Sequence, residues 1–328
     1  MPLTAVVGTG AWGTAIATLA ARDGESVTLL GRDPQKTAGL ATSRHHPSLP
    51  GVVLPPGLTI TSDVGALRAA DLVLWAVPTQ STRALARTLA PHLPAAVPVA
   101  SLSKGLEQGS LARVSEILAS ELGDRPLAAI SGPSMAEECA AGRPFCLVAA
   151  GAEALTALLV KRLHSPRMRL YTSTDLTGVE LGGALKNVIA IAAGICDGLK
   201  LGDNTKAAII TRGLAEIRRL GRALGANDAT FAGMAGIGDL LTSCYSPLGR
   251  NRGLGQAIAE GRDPQTLLDG RSGVAEGAWT CRAAIDLAAR VGCELPIASQ
   301  VANVIWAATP VHTAMEKLLS RAPKEEDA

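Results

Sequence analysis

The stretch LTAVVGTGAWG, residues 3–13, decides the fold of this chain. It begins with a short apolar, β-branched run, which is typical of a buried strand. Gly8, Gly10 and Gly13 follow at the spacing G-x-G-x-x-G, and a helical pattern begins directly after them. In such a unit the first glycine allows a tight turn, the second lets the backbone approach a pyrophosphate, and the third permits close packing of helix on strand. The motif therefore predicts a dinucleotide site at the positive end of a helix.

Strand-like and helix-like segments alternate through the first half of the chain. Seven apolar runs predict strands, at residues 3–8, 26–31, 71–77, 97–102, 126–131, 144–150 and 167–173. After about residue 175 the pattern becomes helical, with segments at residues 175–198, 205–224, 250–260, 276–291, 297–308 and 313–320. This order predicts an α/β protein. We expect an N-terminal Rossmann-like doubly wound parallel sheet in residues 1–175 and an all-helical C-terminal domain in residues 176–328.

The composition excludes several classes of protein. With 31 basic and 29 acidic residues the net charge is +2, too even to indicate a nucleic-acid or membrane-surface protein. We find no run of roughly 18 consecutive apolar residues, and the first strand begins too early for a signal peptide. The six cysteines form no C-x-x-C pair, which favours reduced thiols over a metal site. We expect a soluble cytoplasmic protein without metal, nucleic-acid partner or membrane insertion.

The end of the second predicted strand bears on the choice of cofactor. A carboxylate at this point binds the ribose 2′-hydroxyl of NAD, whereas an arginine accommodates the 2′-phosphate of NADP. The sequence has both, in Arg32-Asp33-Pro34, but Asp before Pro is a common helix start with Asp as N-cap. We therefore assign Asp33 to the cap and Arg32 to the phosphate. NADP(H) is the preferred cofactor and NAD(H) remains possible, since a plain surface arginine would look the same.

Polar residues follow two further strands. Lys104 comes just after the strand at 97–102, and the loop that contains Ser134 and Glu137 follows the strand at 126–131. Ligands of open α/β sheets bind beyond the carboxyl ends of the strands, so Lys104 is predicted at the ligand edge. Ser134 and Glu137 also have the S-x-x-E spacing of a capping box, which predicts a helix beginning at Ser134.

The segment GGALKNVIAIAAG, residues 182–194, places Lys186 and Asn187 among small and apolar residues. On a helix, Gly182, Gly183 and Ala190 share the face of Lys186. Burial disfavours the ammonium and lowers the pKa of a lysine, which makes it a usable general acid or base. The alternative is close helix packing around a lysine whose tip reaches solvent.

Three polar groups lie further along the chain. Asp239 stands in a glycine-rich approach to a helix, and Gly249-Arg250-Asn251-Arg252 is a candidate anion site because arginine binds phosphate bidentately. Glu276 is most simply a helix-start acid. The segments at Asp239 and at Arg250 could each equally be a surface loop, and the segment at Glu276 is a weaker candidate still.

Taken in order, the motifs GTGAWGT, SKGLE, SGPS-x-AEE, LGGALKNVIAIAAG, TRGLAE, MAGIGDL and RNR resemble the NAD(P)-dependent glycerol-3-phosphate dehydrogenases of the bacterial type. The resemblance runs from about residue 5 to residue 320. It implies interconversion of sn-glycerol 3-phosphate and dihydroxyacetone phosphate, a phosphorylated small-molecule substrate, supply of the phospholipid backbone, and a homodimer.

The resemblance also implies roles for individual residues. Lys186 would be the catalytic acid/base, and Lys104 would contact both substrate and cofactor. The substrate-binding positions would be Lys104, Gly132, Ser134, Lys186, Asn187, Asp239, Ser243, Gly249, Arg250 and Asn251. The cofactor-binding positions would be Gly8, Gly10, Ala11, Trp12, Gly13, Arg32, Lys104, Ala136, Arg250, Val274 and Glu276. The family commonly has serine at positions 11 and 249, where this chain has Ala11 and Gly249, so one side-chain bond to the substrate phosphate needs a substitute.

Two other functions fit the same pattern. Another two-domain reductase, acting on a hydroxy acid or a keto acid, could use Arg250 to bind a carboxylate. A nicotinamide-binding regulator without turnover would have no need of Lys104, Lys186 and Asp239 as an acid/base group.

Overall fold

A computed structural model describes residues 2–22, 24–269, 275–322 and 325. Eight strands form one sheet in the order β3-β2-β1-β4-β5-β6-β7-β8. Their bounds are β1 Leu3–Val7, β2 Ser26–Leu30, β3 Thr59–Thr61, β4 Leu72–Trp75, β5 Val99–Ser101, β6 Leu127–Ser131, β7 Phe145–Gly151 and β8 Met168–Ser173. The helices of this half are α1 Ala11–Arg22, α2 Pro34–Ser43, α3 Thr79–Leu89, α4 Val114–Leu122, α5 Ala136–Ala140 and α6 Glu153–Leu163. The predicted α/β architecture is confirmed.

The sheet differs from the prediction in two places. Strand β3 is three residues long and only partly buried, so it lacks the apolar run by which the other strands are recognised. Strand β7 pairs with β6 in the antiparallel sense, with Ala129 opposite Ala150. The connection between them contains only the five-residue helix α5, and parallel neighbours are usually joined by a longer crossover helix. The sheet is therefore mostly parallel.

The second half of the chain is helical. Its elements are α7 Leu176–Gly198, α8 Gly202–Ala223, α9 Asp228–Phe231, a π-helical turn Met234–Gly238, α10 Asp239–Tyr245, α11 Arg250–Ala259, α12 Pro264–Asp269, α13 Glu276–Arg290, α14 Pro296–Trp306 and α15 Val311–Leu319. Strand β8 ends at Ser173 and α7 begins at Leu176, so the change from sheet to helices occurs between these two residues.

Helix α7 is the centre of this helical half. Every residue from Gly178 to Gly194 is buried, and α8, α10, α11 and α13 pack around it. By length and hydropathy alone α7 could cross a membrane, but 94% of its most apolar window is buried inside the protein. It is the core helix on which the surrounding helices are arranged.

Small residues bring α7 and α11 into backbone contact. A methyl group at Gly194 would overlap the carbonyl oxygen of Arg252, and one at Gly255 would overlap that of Ile191. Gly253, on the same helix α11, has no atom within 4 Å of the position that a Cβ would take. Glycine is therefore required at positions 194 and 255 because the two backbones are in contact there, and not because of helix propensity.

A buried carboxylate joins the two halves of the molecule. Glu180 of α7 accepts hydrogen bonds from the Ser115 backbone N–H at 2.8 Å, the Ser115 hydroxyl at 2.6 Å and the Arg113 guanidinium at 2.8 Å. These donors lie at the start of α4, where the helix dipole also favours a negative charge. Burial raises the pKa of the Glu180 carboxyl, while Arg113 and Ser115 act in the opposite direction. The contact fixes the first turns of α7 against the sheet half.

The glycine contact predicts opposite effects for two substitutions on one helix. Gly255→Ala should lower the free energy of unfolding by about 2–4 kcal/mol, because the added methyl forces α11 away from α7. Gly253→Ala should leave stability unchanged or raise it by up to about 1 kcal/mol, since alanine is the better helix former and the space is open. Urea unfolding followed by circular dichroism would measure both, and equal effects would contradict the packing argument.

Candidate active site

The glycine-rich loop has the space that a dinucleotide requires. Gly8 has φ of +114°, and a Cβ there would overlap the carbonyl oxygen of Ala76. At Gly13 a Cβ would overlap the carbonyl oxygen of Gly8, so this glycine allows α1 to pack closely. At Gly10 no atom lies within 4 Å of the Cβ position, which leaves the backbone open to a ligand. The loop thus fits a pyrophosphate at the N-terminus of α1.

The neighbouring cofactor candidates lie around this loop. Ala11 and Trp12 form the first turn of α1, and the Trp12 ring packs edge-on against Phe145 with 6.4 Å between centroids. The Trp12 indole Nε1 is buried and has no hydrogen-bond partner among the described residues. Ala136 begins α5 and packs against buried apolar residues of the sheet half.

The end of β2 has the arrangement that the sequence predicts for Asp33. Its carboxylate accepts the backbone N–H groups of Gln35 and Lys36 at 3.0 and 3.1 Å and so caps α2. Arg32, one residue earlier, is exposed. Asp33 is therefore occupied by the helix, while Arg32 is accessible to a ligand.

Asp239 lies between two lysines at the carboxyl edge of the sheet. It is fully buried, and its carboxylate accepts a hydrogen bond from the Lys104 ammonium at 2.7 Å through one oxygen. The other oxygen accepts a short hydrogen bond from Lys186. Lys186 also donates to the Ser243 hydroxyl at 2.7 Å, and only 5% of its surface is exposed. Side chains that are distant in the sequence thus converge on one buried carboxylate.

The charges explain the titration of this cluster. Burial is the main cause that lowers the pKa of Lys186 to about 8; the Asp239 charge opposes this shift and the Lys104 charge adds to it. Burial alone would raise the pKa of the Asp239 carboxyl, but the two lysines outweigh burial and hold it below its usual value. The single negative charge of Asp239 cannot fully compensate the positive charges of both lysines. Both protonation states of Lys186 are therefore accessible near neutral pH.

Lys104 joins this cluster to the loop after β6. Its ammonium donates to the Gly132 carbonyl and to the Ser134 hydroxyl, both at 2.9 Å. The predicted capping box is wrong: α5 begins at Ala136 with Met135 as its N-cap, and Ser134 makes no capping bond. Its hydroxyl faces Lys104 and donates to the Gly132 carbonyl at 2.8 Å. Ser134 therefore belongs to the polar edge of the sheet.

A chain of amide groups runs from Lys104 towards α11 and α13. The Asn187 side-chain amide donates to the Lys104 carbonyl at 3.2 Å, and its oxygen accepts from Asn251 at 2.9 Å. The Asn251 oxygen in turn accepts the Gly277 backbone N–H at 3.1 Å. Asn187 and Asn251 are thus held in fixed orientations beside the lysine cluster.

Glu276 begins α13 and reaches the start of α3. One carboxylate oxygen accepts the Thr79 backbone N–H at 3.1 Å. The other oxygen is buried without a hydrogen-bond partner among the described residues, as is the Thr79 hydroxyl. Burial raises the pKa of the Glu276 carboxyl. Both atoms lie beside Gly105, where a Cβ would be 2.6 Å from the Thr79 hydroxyl and 2.9 Å from the Glu276 oxygen. Val274, the other candidate in this segment, lies outside the described residues.

The start of α11 contains the anion candidates. Arg250 is the first residue of the helix and is exposed, and Gly249 before it is in an extended conformation. A Cβ at Gly249 would lie 3.1 Å from the carbonyl oxygens of Ser243 and Ser246, so a serine would fit here only with adjustment. Arg252 turns away, and its guanidinium donates to Asp197 at 2.6 Å. The helix N-terminus and Arg250 together suit an anion.

The sequence reasoning missed one contributor. Ser131, the last residue of β6, has its hydroxyl 3.4 Å from the Asp239 carboxylate. Glycine at position 183 leaves room for the Ser131 hydroxyl, because a Cβ at Gly183 would lie 2.6 Å from that hydroxyl. The position of Ser131 at a strand end was the available signal. Among the described residues no three His, Cys, Asp or Glu side chains are grouped so that they could hold a metal ion.

Comparisons with known proteins identify the family of this chain. The family models for the N-terminus and the C-terminus of NAD-dependent glycerol-3-phosphate dehydrogenase match residues 4–157 and 175–316. A glycerol-3-phosphate dehydrogenase [NAD(P)+] of Rhodospirillum rubrum is 46% identical over 97% of this chain and 92% of its own. One from Trichlorobacter lovleyi is 45% identical over 98% of this chain and 99% of its own.

A solved structure extends the likeness to three dimensions. The crystal structure of glycerol-3-phosphate dehydrogenase from Coxiella burnetii is 36% identical and has a TM-score of 0.94, covering 98% of this chain and 99% of its own. The matches cover both halves of the fold. The chain therefore belongs to the NAD-dependent glycerol-3-phosphate dehydrogenase family.

Proposed function

We propose that this protein is an NAD(P)-dependent dehydrogenase that interconverts sn-glycerol 3-phosphate and dihydroxyacetone phosphate. The observation that carries the proposal is the buried carboxylate of Asp239 between Lys104 and Lys186, beside a glycine-rich dinucleotide loop. The dehydrogenases of Rhodospirillum rubrum and Coxiella burnetii support the substrate. The sheet half would bind the cofactor and the helical half would bind most of the substrate.

Lys186 is the proton-transfer group of this proposal. In the oxidative direction its neutral amine takes the proton from the C2 hydroxyl of glycerol 3-phosphate, and in the reductive direction its ammonium returns that proton to the C2 oxygen. A pKa of about 8 suits both directions, because both protonation states are accessible near neutral pH. Asp239 orients the ammonium, and the Ser243 hydroxyl holds it from a second side.

Lys104, Asn187 and the loop at Gly132 and Ser134 form the wall next to Lys186. The Lys104 ammonium polarises the substrate oxygen and keeps the Asp239 carboxylate ionised. The Asn187 amide fixes the main chain of the Lys104 loop. Each of these groups is oriented by a second contact, which preserves the geometry before substrate binds.

The phosphate of the substrate would bind at the start of α11. Arg250 supplies a guanidinium, Asn251 an amide donor, and the helix N-terminus its N–H groups. These N–H groups would take the place of the serine that the family resemblance implies at position 249.

A nicotinamide dinucleotide fits the glycine loop, and when bound it supplies or accepts the hydride at C2 of the substrate. Gly8, Gly10 and Gly13 would admit its pyrophosphate, and Ala11, Trp12, Ala136, Val274 and Glu276 would line its site. Arg32 is exposed at the end of β2, where it would bind the 2′-phosphate of NADPH. We therefore infer a preference for NADPH, a cytoplasmic homodimer, and a role in supplying glycerol 3-phosphate for phospholipid synthesis.

The first test is the loss of NADPH absorbance with dihydroxyacetone phosphate, for wild type beside Lys186→Met. The variant should lose about 10²–10⁴-fold in kcat because the general acid is gone, while the Kd for NADPH stays unchanged. In the wild type, reduction should weaken as pH rises through about 8, since Lys186 must be protonated, and oxidation should strengthen over the same range.

Lys186→Arg is the control for charge, because arginine keeps the cation but does not release its proton at these pH values. It should be as inactive as the methionine variant in the oxidative direction. Substantial turnover in either variant would exclude Lys186 as the acid/base, and a wild type that binds NADPH without turnover would exclude the substrate.

Arg250→Ala should raise the KM for dihydroxyacetone phosphate by about 10–100-fold, because it removes a charge-assisted contact to the phosphate. Arg262→Ala, at an exposed arginine just beyond the end of α11, is the matched control and should leave KM unchanged. Equal KM values for the Arg250→Ala and Arg262→Ala variants would show that the substrate phosphate binds elsewhere.

Arg32→Ala should reduce the preference for NADPH over NADH by about 5–50-fold in kcat/KM, since the cation beside the 2′-phosphate is lost. Arg68→Ala removes an exposed arginine elsewhere in the sheet half and serves as the comparison. If both variants keep the wild-type ratio, Arg32 has no role in cofactor choice.

A further inference from the structure

Asp197 occupies the far end of the helix that carries Lys186. Eleven residues separate the two positions on α7, close to three helical turns, so both lie on the same side of the helix. The Asp197 carboxylate accepts the Lys206 ammonium through both oxygens at 2.9 Å and the Arg252 guanidinium at 2.6 Å. The Lys206 side chain is 7% exposed and that of Arg252 18%. This cluster of one acid and two bases is separate from the Asp239 site.

The cluster connects four helices. Asp197 lies on α7, Lys206 on α8 and Arg252 on α11, and the Lys206 ammonium lies 4.6 Å from the ring centroid of Tyr245 on α10. Three of these helices carry substrate candidates, namely Lys186 and Asn187 on α7, Asp239 and Ser243 on α10, and Arg250 and Asn251 on α11. The Asp197 carboxylate therefore joins α7 to α8 and α11 by charge, and the Lys206 ammonium extends the contact to α10.

Arg252 is held by its main chain as well as by its side chain. Its carbonyl oxygen lies against Gly194, where a Cβ would overlap it, and its guanidinium is bound to Asp197. Arg252 belongs to the first turn of α11, two residues after Arg250. Because both the main chain and the side chain of Arg252 are held, the orientation of the Arg250 and Asn251 side chains on the first turn of α11 is also fixed.

We propose that Asp197 is a positioning residue for recognition of the substrate phosphate. Through Arg252 it holds the first turn of α11 at the distance from Lys186 that a phosphorylated triose requires. Arg252 is accordingly the support of the anion site and not one of its ligands. The inference rests on the proposed function of Arg250 and Asn251.

Asp197→Asn tests this inference, because it removes the charge and keeps the shape. The KM for dihydroxyacetone phosphate should rise about tenfold, since a small displacement of the anion site weakens binding. The kcat at saturation should stay within about threefold and the Kd for NADPH should not change, because neither Lys186 nor the glycine loop is touched.

Glu216→Gln is the matched control. Glu216 is a more deeply buried acid on α8, and it accepts the backbone N–H groups of Ile297 and Ala298 at 2.6 and 3.2 Å at the start of α14. Its loss should lower thermal stability without raising KM. An equal rise in KM for both variants would show that Asp197 acts only through general stability, and would overturn the inference.

The double variant Asp197→Asn/Arg250→Ala separates the inference from the proposed function. If Asp197 acts through the start of α11, it should raise KM much less in the Arg250→Ala background than in the wild type. Full additivity would overturn the inference while leaving the phosphate site intact. An unchanged KM for Arg250→Ala alone would overturn the proposed site itself. Should Asp197→Asn fail to fold, Arg252→Leu, which keeps the buried stem, must show the same KM pattern.

Discussion

The arrangement of this site depends on one carboxylate that is held in the ionised form out of contact with water. A lone buried acid would take up a proton, but Asp239 lies between the ammonium groups of Lys104 and Lys186 and keeps its charge. Each partner comes from a different part of the fold: Lys104 follows β5, Lys186 is on α7, and Asp239 begins α10. Removing one member of such a buried cluster leaves an uncompensated charge, which costs about 3–5 kcal/mol. The same three groups therefore hold the sheet half against the helical half and set the pKa of Lys186.

The packing that brings these groups together relies on residues without side chains. Gly182 and Gly183 let α7 lie against Ala235 and Ser131, and Gly194 and Gly255 let it touch α11. The small residues around Lys186 are thus explained by contacts with protein, and the lysine is buried as a result of that packing. Its lowered pKa follows from the same close contacts that stabilise the helical core.

Much of this could be predicted from the sequence, and the limits have physical causes. Alternating apolar runs gave most of the strands and helices, because burial on both faces leaves a strong pattern. The antiparallel direction of β7 could not be predicted, since the apolar sequence pattern of a buried strand is the same in either direction. The G-x-G-x-x-G spacing and the small-residue setting of Lys186 pointed to their regions for sound geometric reasons. That Lys104, Lys186 and Asp239 meet is a tertiary fact, and spacing alone does not contain it. Ser134 was assigned to a helix cap on local grounds, but the nearby ammonium of Lys104 is the stronger partner.

The direct contact between the backbones of α7 and α11 has a consequence for selectivity. Lys186 and the proposed anion site are carried by two helices that cannot slide apart without opening a cavity or shift together without a clash. The span between them is therefore a ruler of fixed length, set by main-chain atoms and insensitive to the reach of flexible side chains. A molecule whose reacting carbon and phosphate are separated by one bond too many would fail to meet both ends at once. Such a ruler would discriminate between substrates by their length.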